Sequence, residues 1–232
     1  MRYLLFLLLM QGPTPETAAP MFPGGGYVSY NSVFGARASR PHEGILVFAA
    51  GLRRDVQLSV ELPLASVDTI GRKRTGVGES TLALKYRFLR IDSERGTTQA
   101  SVSAGPRFAS SVTDSPADIF LNGSFTYTGL FRIKKLVADL STDYFARKDE
   151  IDSRLWVSYR PYQSSSVGAE WWIGPSLSWQ HNVIDRGTVL SPGGVTFVSP
   201  AAGLVLWAGI DFPEDNHRWT FGVTRQFRLP GR

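Results

Sequence analysis

A chain of 232 residues without a cysteine has neither a disulfide framework nor thiolate or zinc–cysteine chemistry, and its length fits one domain. Its formal charge of +5 comes mainly from arginines scattered among acids rather than from a basic block, which makes nucleic acid a poor partner. The 43% share of hydrophobic residues and the mean hydropathy of −0.08 resemble those of a soluble protein, and a barrel whose strands give only one face to lipid has the same balance.

The chain starts with Met1-Arg2 and an apolar run from Tyr3 to Met10 that is too short to span a bilayer. This reads as a secretory signal over residues 1–19, with small residues Thr17-Ala18-Ala19 near its end. No later run approaches ~18 apolar residues, so a transmembrane helix is excluded. Residues 20–42 read as a leader rich in proline and glycine that ends in a strap or partial strand over Tyr27 to Phe34. Residues 43–228 read as a single β-barrel domain.

From there the chain alternates. Glu43 to Arg53 and Val56 to Val67 form a tight hairpin joined at Arg53-Arg54-Asp55, and Val56, Leu58, Val60, Leu62 and Leu64 fall on one face of the second strand. A loop over Asp68 to Thr75 leads to a strand over Gly76 to Arg90. There Leu82, Leu84, Tyr86 and Phe88 oppose Glu79, Thr81, Lys85 and Arg87. Thr97 to Ser110, Ala117 to Phe131 and Ile133 to Ala146 follow, the last two joined by Arg132-Ile133-Lys134 with almost no loop. Arg154 to Arg160 and Val167 to Gln180 alternate again. Val183 to Gly194 reads as loop, Val195 to Phe212 as one strand bulged at Pro200, and His217 to Phe227 as the last strand. The count is ten strands, or twelve with Tyr27 to Phe34 and a split at Pro200.

The more polar face carries Glu61, Glu79, Lys85, Arg87, Arg107, Asp139, Asp143, Arg154, Arg160, Glu170 and Arg218. Charges turned into a sandwich core would be costly, whereas a watery lumen accepts them and hydrocarbon accepts the opposite face. Most of the segments, at about 11–16 residues, also fit the ~9–11 residues that a tilted strand needs to cross a bilayer. Tyr86, Phe88, Trp171, Trp172, Trp179, Phe212, Trp219 and Phe227 lie near strand ends, as interfacial girdles do. The expected fold is therefore all-β, an antiparallel transmembrane β-barrel in the outer membrane of a Gram-negative bacterium. The alternative is a soluble closed barrel or β-sandwich.

The motif Gly76-Val77-Gly78-Glu79, followed by Leu82 and Leu84-Lys85-Tyr86-Arg87-Phe88, resembles a signature of bacterial outer-membrane proteins in the meta-pathway of phenol degradation family. Gly51-Leu52, Val56-Gln57-Leu58 and Glu61-Leu62-Pro63 are similar to the hairpin that precedes it there. The likeness covers roughly Glu43 to Arg107. It implies a barrel that passes or binds hydrophobic compounds. The chain departs from the pattern at Glu79, where Asp is common, and at Gly105-Pro106-Arg107.

The alternating last strand, closed by Phe227, is of the kind that barrel assembly machinery is expected to read. Arg225 interrupts its lipid face and is expected at a membrane edge, where snorkelling costs only ~0–1 kcal/mol. The basic run Arg72-Lys73-Arg74 could meet outer-membrane lipid or lipopolysaccharide headgroups, and solvation explains it equally well.

Catalysis is not expected. His42, His181 and His217 have no serine and acid in a recognisable local arrangement, and the G-x-S-x-G, P-loop and HExxH motifs are missing. No cofactor or metal is implied: the carboxylates at Asp114 to Asp118 and at Asp149, Glu150 and Asp152 have no EF-hand spacing. The expected role is a narrow passive channel or binding barrel for small, hydrophobic or aromatic solutes. Two readings compete with it: a structural barrel with a salt-bridged, closed lumen, and an outer-membrane lipid hydrolase.

Overall fold

The computed structural model describes residues 24–35, 43–69, 72–110, 112, 116–133, 135–164, 169–184, 187–201, 203–213 and 217–228. The signal and most of the leader, with residues 1–23 and 36–42, lie outside them.

Thirteen strands form one antiparallel sheet: β1 (Gly25–Gly35), β2 (Glu43–Arg53), β3 (Val56–Thr69), β4 (Arg72–Val77), β5 (Thr81–Ser93), β6 (Gly96–Arg107), β7 (Asp118–Thr128), β8 (Leu136–Phe145), β9 (Glu150–Ser164), β10 (Ala169–Asn182), β11 (Thr188–Ala201), β12 (Leu204–Asp211) and β13 (Arg218–Arg228). Because β4 and β5 both pair with β3, they act as one wall strand, and the barrel has twelve walls. The sheet closes where β1 pairs with β13 from Gly25↔Arg228 to Gly35↔Arg218. Closure matters because a bilayer offers no water to an unpaired strand edge.

The segment over Tyr27 to Phe34 is thus a full wall strand held on both sides. Twelve strands replace the ten of the first count through this strand and a split near Pro200. The split falls at residues 202–203, where Gly203 takes a positive φ of 77° that suits a tight turn. Thr188 to Gly194, expected as loop, is the first half of β11. Its proline and glycines are compatible with the ladder: Pro192 lies opposite Leu177, and a side chain on Gly193 would collide with the Ile210 carbonyl oxygen.

The loop expected at Asp68 to Thr75 is instead a hairpin, with Leu64↔Val77 through Thr69↔Arg72 in register. It extends the long strand past Gly78–Ser80, where the ladder breaks and the Gly78 amide donates to the Pro63 carbonyl. In the sheet order β4 is terminal. Between β7 and β8 the expected minimal turn is a 3-10 turn over Leu130–Arg132. Phe131, expected on the outer strand face, sits there at φ 53° and is 81% exposed.

The connections at one end are 54–55, 94–95, 129–135, 165–168 and 202–203, and both ends of the closing pair, Gly25 and Arg228, lie there. Those at the other end are 36–42, 70–71, 108–117, 146–149, 183–187 and 212–217, longer on the whole. Outer-membrane barrels turn short connections to the periplasm and longer ones outward. The two ends are called the short-turn and long-loop ends below.

Alternation sorts the wall. Leu84, Val102, Ile119, Leu121, Phe125, Leu155, Ile173, Leu206 and Phe221 are exposed on the outside. Aromatics flank this apolar belt: Tyr159, Tyr162, Trp171 and Phe227 toward the short-turn end, Phe108, Phe212 and Trp219 toward the other. An exposed hydrocarbon-like belt on a closed barrel belongs in lipid, and the protein is an outer-membrane β-barrel. Trp172 departs from the expected girdle, since its parity turns it inward against the lumenal aromatics. Arg225 shares the outer face and lies opposite Leu204, the first residue of β12, at the short-turn edge.

Val102 sits mid-strand on the belt, so Val102→Arg should cost about 2–4 kcal/mol of barrel stability, whereas Arg225→Leu at the edge should change it by less than about 1 kcal/mol. Urea unfolding of the barrel in liposomes measures both.

Candidate functional site: the barrel lumen

Inward residues divide the lumen by chemistry along its axis. Toward the long-loop end, Glu79 projects from the break between β4 and β5. It pairs through Oε2 with Arg107 Nε at 2.6 Å and through Oε1 with Lys148 Nζ at 3.2 Å. Glu79 and Arg107 are 6% and 8% exposed, so this group is shielded from bulk water. The Arg107 guanidinium lies 4.8 Å from the centre of the Phe145 ring. Burial holds the Lys148 ammonium, in the connection 146–149, below the ordinary lysine range; Arg107 adds to this and Glu79 opposes it.

Neighbouring strands continue the pattern. Arg218 Nη2 meets Asp211 Oδ2 at 3.1 Å, and Arg154 lies in the combined field of Asp211, Arg218, Asp143 and Asp152. Asn122 Nδ2 donates to Asp143 Oδ1 at 2.8 Å. Glu150 is almost wholly buried nearby. This half of the lumen is a charged layer built from strand ends, with Glu79–Arg107, Glu79–Lys148 and Arg218–Asp211 as its ion pairs and Asp143 lying across the ladder from Asp152.

Toward the short-turn end lies a cavity of about 580 Å³. On the side of β9 to β12 the lining is mainly aromatic: Trp156 and Phe197, with ring centres 4.7 Å apart, Trp172 and Val205, beside Ser158 and Ser199; Trp207, 6.4 Å from Phe197, and Val195 belong to the same buried cluster without lining the cavity. Gly222 makes room for this cluster, because a Cβ there would fall about 2.2 Å from the Trp207 ring. The facing side is mixed: Asn31, Gln57, Ser59, Lys85, Gln99, Ser103 and Thr126 are interspersed with Tyr27, Ile45, Val47, Ala83, Phe120 and Val137. The cavity reaches the level of Gly203 and Gln226 at the short-turn edge.

The eleven charges singled out from the sequence separate into three groups. Glu61, Lys85, Asp139 and Glu170 line the cavity. Glu79, Arg107, Asp143, Arg154 and Arg218 belong to the charged layer. Arg87 and Arg160 hold the short-turn end. Arg87 braces the β2–β3 turn through Asp55 at 2.6 Å and also donates to Gln99 at 2.7 Å. Arg160 pairs with Glu170 at 3.3 Å and covers the Trp172 ring at 4.8 Å.

Sequence reasoning did not single out the aromatic wall. Trp156 shares the parity of Arg154 and Ser158 in its strand, and Trp207 alternates with the outward Leu206, so the inward aromatics follow from the same period of two; their apolar type hides them where polarity is the mark of a lumen. His181 faces outward, its Nδ1 2.9 Å from Thr188 Oγ1. Asp185, the acid nearest to it in sequence, lies outside the described residues.

Glu79→Gln would leave the buried Arg107 and the half-buried Lys148 without their carboxylate. It should destabilise the barrel by about 3–5 kcal/mol, measured by denaturant unfolding. Gly222→Ala should displace Trp207, visible as a changed near-UV circular dichroism spectrum with the β-signal retained.

No family model matches the chain, and no curated protein matches it. Solved structures do match in fold. The COG4313 outer membrane channel from Pseudomonas putida F1 superposes with a TM-score of 0.59 at 15% identity, covering 92% of this chain and 99% of that one. A KdgM porin gives 0.57 at 10%, with coverage of 87% and 99%. The NanC porin gives 0.57 at 11%, with coverage of 85% and 98%. In architecture the chain is a porin-like outer-membrane barrel.

Proposed function

We propose that the protein is a narrow passive channel, or binding barrel, for small hydrophobic or aromatic molecules. The observation that carries this reading is the 580 Å³ lumenal cavity, whose one wall is built from Trp156, Trp172 and Phe197. Its volume is of the size that takes a drug-sized ligand, and indole and phenyl faces offer apolar contact at low entropic cost. The resemblance of the Gly76 to Phe88 motif to barrels of the phenol meta-pathway family, and the channel and porin architecture of the structural neighbours, agree with it.

A second reading has its own support. The Glu79–Arg107–Lys148 group and the neighbouring Arg218–Asp211 pair fill the opposite half of the lumen with mutually neutralising charge. If that layer is shut, the protein is a structural barrel with an internal pocket. If it is hydrated, it is the narrowest part of a path and sets its conductance.

Purified protein in planar bilayers should give small discrete current steps, and Arg107→Ala with Lys148→Ala should enlarge them by opening the charged layer. Silence in both proteins, with no solute uptake into liposomes, would leave the closed barrel as the correct reading.

A further inference from the structure

The charges and the unmet polar atoms of the lumenal cavity are not neutral toward ligand charge. Among the described residues that line it, Lys85 is the one cation, facing the carboxylates of Glu61, Asp139 and Glu170. Asp139 lies directly across the β8–β9 ladder from Trp156, so that an acid and an indole share one patch of wall. Its Oδ1 accepts from Thr126 Oγ1 at 2.6 Å, whereas its Oδ2 has no hydrogen-bond partner although the residue is only 6% exposed. Trp156, 8% exposed and packed on Phe197, likewise has an unpartnered Nε1.

A buried carboxylate oxygen without a partner is costly, and a positively charged group is what relieves it best. The adjacent ring faces favour the same sign, because an aromatic quadrupole attracts cations at its face and repels anions. The wall already displays this arrangement once: the Arg160 guanidinium lies over Trp172 and is held by Glu170. At Trp156 and Asp139 the ring and the acid are again side by side; Lys85 acts on Asp139 through its field, and Oδ2 is left without a hydrogen-bond donor.

We infer that the cavity selects small amphipathic organic cations, seating the apolar part against Trp156 and Phe197 and the ammonium toward Asp139, and that it disfavours carboxylates. The inference rests on the reading of the lumen as a solute-binding path and names its charge preference. An anion would meet three carboxylates against the single ammonium of Lys85, and the negative faces of the rings. A neutral compound of the same shape would gain the apolar contact alone.

Three probes with one ring and different charge test this on detergent-solubilised protein: benzylammonium, benzyl alcohol and benzoate, followed by tryptophan fluorescence. Benzylammonium should give a saturable change, with benzyl alcohol at least about tenfold weaker and benzoate weaker still. In Asp139→Asn the cation and the alcohol should bind alike. Benzoate binding as tightly as benzylammonium would overturn the inference, as would a cation preference that survives in Asp139→Asn or the lack of any saturable change. Should Asp139→Asn fail to fold, Trp156→Leu replaces it and should weaken benzylammonium at least about tenfold; unchanged affinity would overturn the inference. The readout needs no conductance, so a conducting barrel that binds no cation sinks this inference alone. A cation-binding barrel that passes nothing sinks only the channel reading.

Discussion

Every other feature depends on the pairing of β1 with β13. A bilayer interior supplies no hydrogen bonds to a strand edge, so a sheet of this size is stable there only when its first and last strands meet. Eleven registered residues of β1 meet eleven of β13, and on the lumenal side Ser29 Oγ and Thr224 Oγ1 lie 2.8 Å apart across the seam. Small polar side chains at this position let the two backbones approach without leaving a buried hydroxyl unmet. Once closed, the wall has a fixed inside, and the alternation of side chains determines what fills it.

What fills it is uneven along the axis. Long charged side chains collect at the long-loop end, where Glu79 emerges from a break in the ladder and can reach both Arg107 and Lys148. The short-turn half holds the aromatic wall and the cavity. The division has a steric basis: charges of opposite sign pack closely, whereas Trp156, Trp172 and Phe197 occupy one side of the cavity and leave open volume opposite shorter residues such as Ser59 and Ser103. On the proposed reading, a solute would meet the aromatic shelf and the charged layer at different heights of the barrel.

Much of the wall could be read directly from the sequence. The parity of Leu82, Leu84, Tyr86 and Phe88 against Lys85 and Arg87, of Leu136 and Leu140 against Asp139 and Asp143, and of Trp219 and Phe221 against Arg218 and Thr220 is the parity of the folded sheet. Errors arose where local residue chemistry competes with the ladder. Pro192 and Gly193-Gly194 look like loop residues, and Asp68 to Thr75 looks like a charged turn; both are strand because a neighbour in register holds them there. Phe131 erred in the other direction, since a tight 3-10 turn took a residue whose type favours strand.

The sequence by itself determined the class of protein, because a period of two with lipid-suited residues on one face and charges on the other fits a barrel wall in a bilayer. It also determined which side of each strand faces inward. Tertiary structure alone decided which inward residues meet. Arg87 braces a turn, Arg107 neutralises Glu79, and Asp139 shares a patch with Trp156, though all three arise from the same alternation. The physical reason is that alternation fixes direction within a strand, while strand register, shear and closure fix height and neighbours, and these are collective properties of twelve strands together.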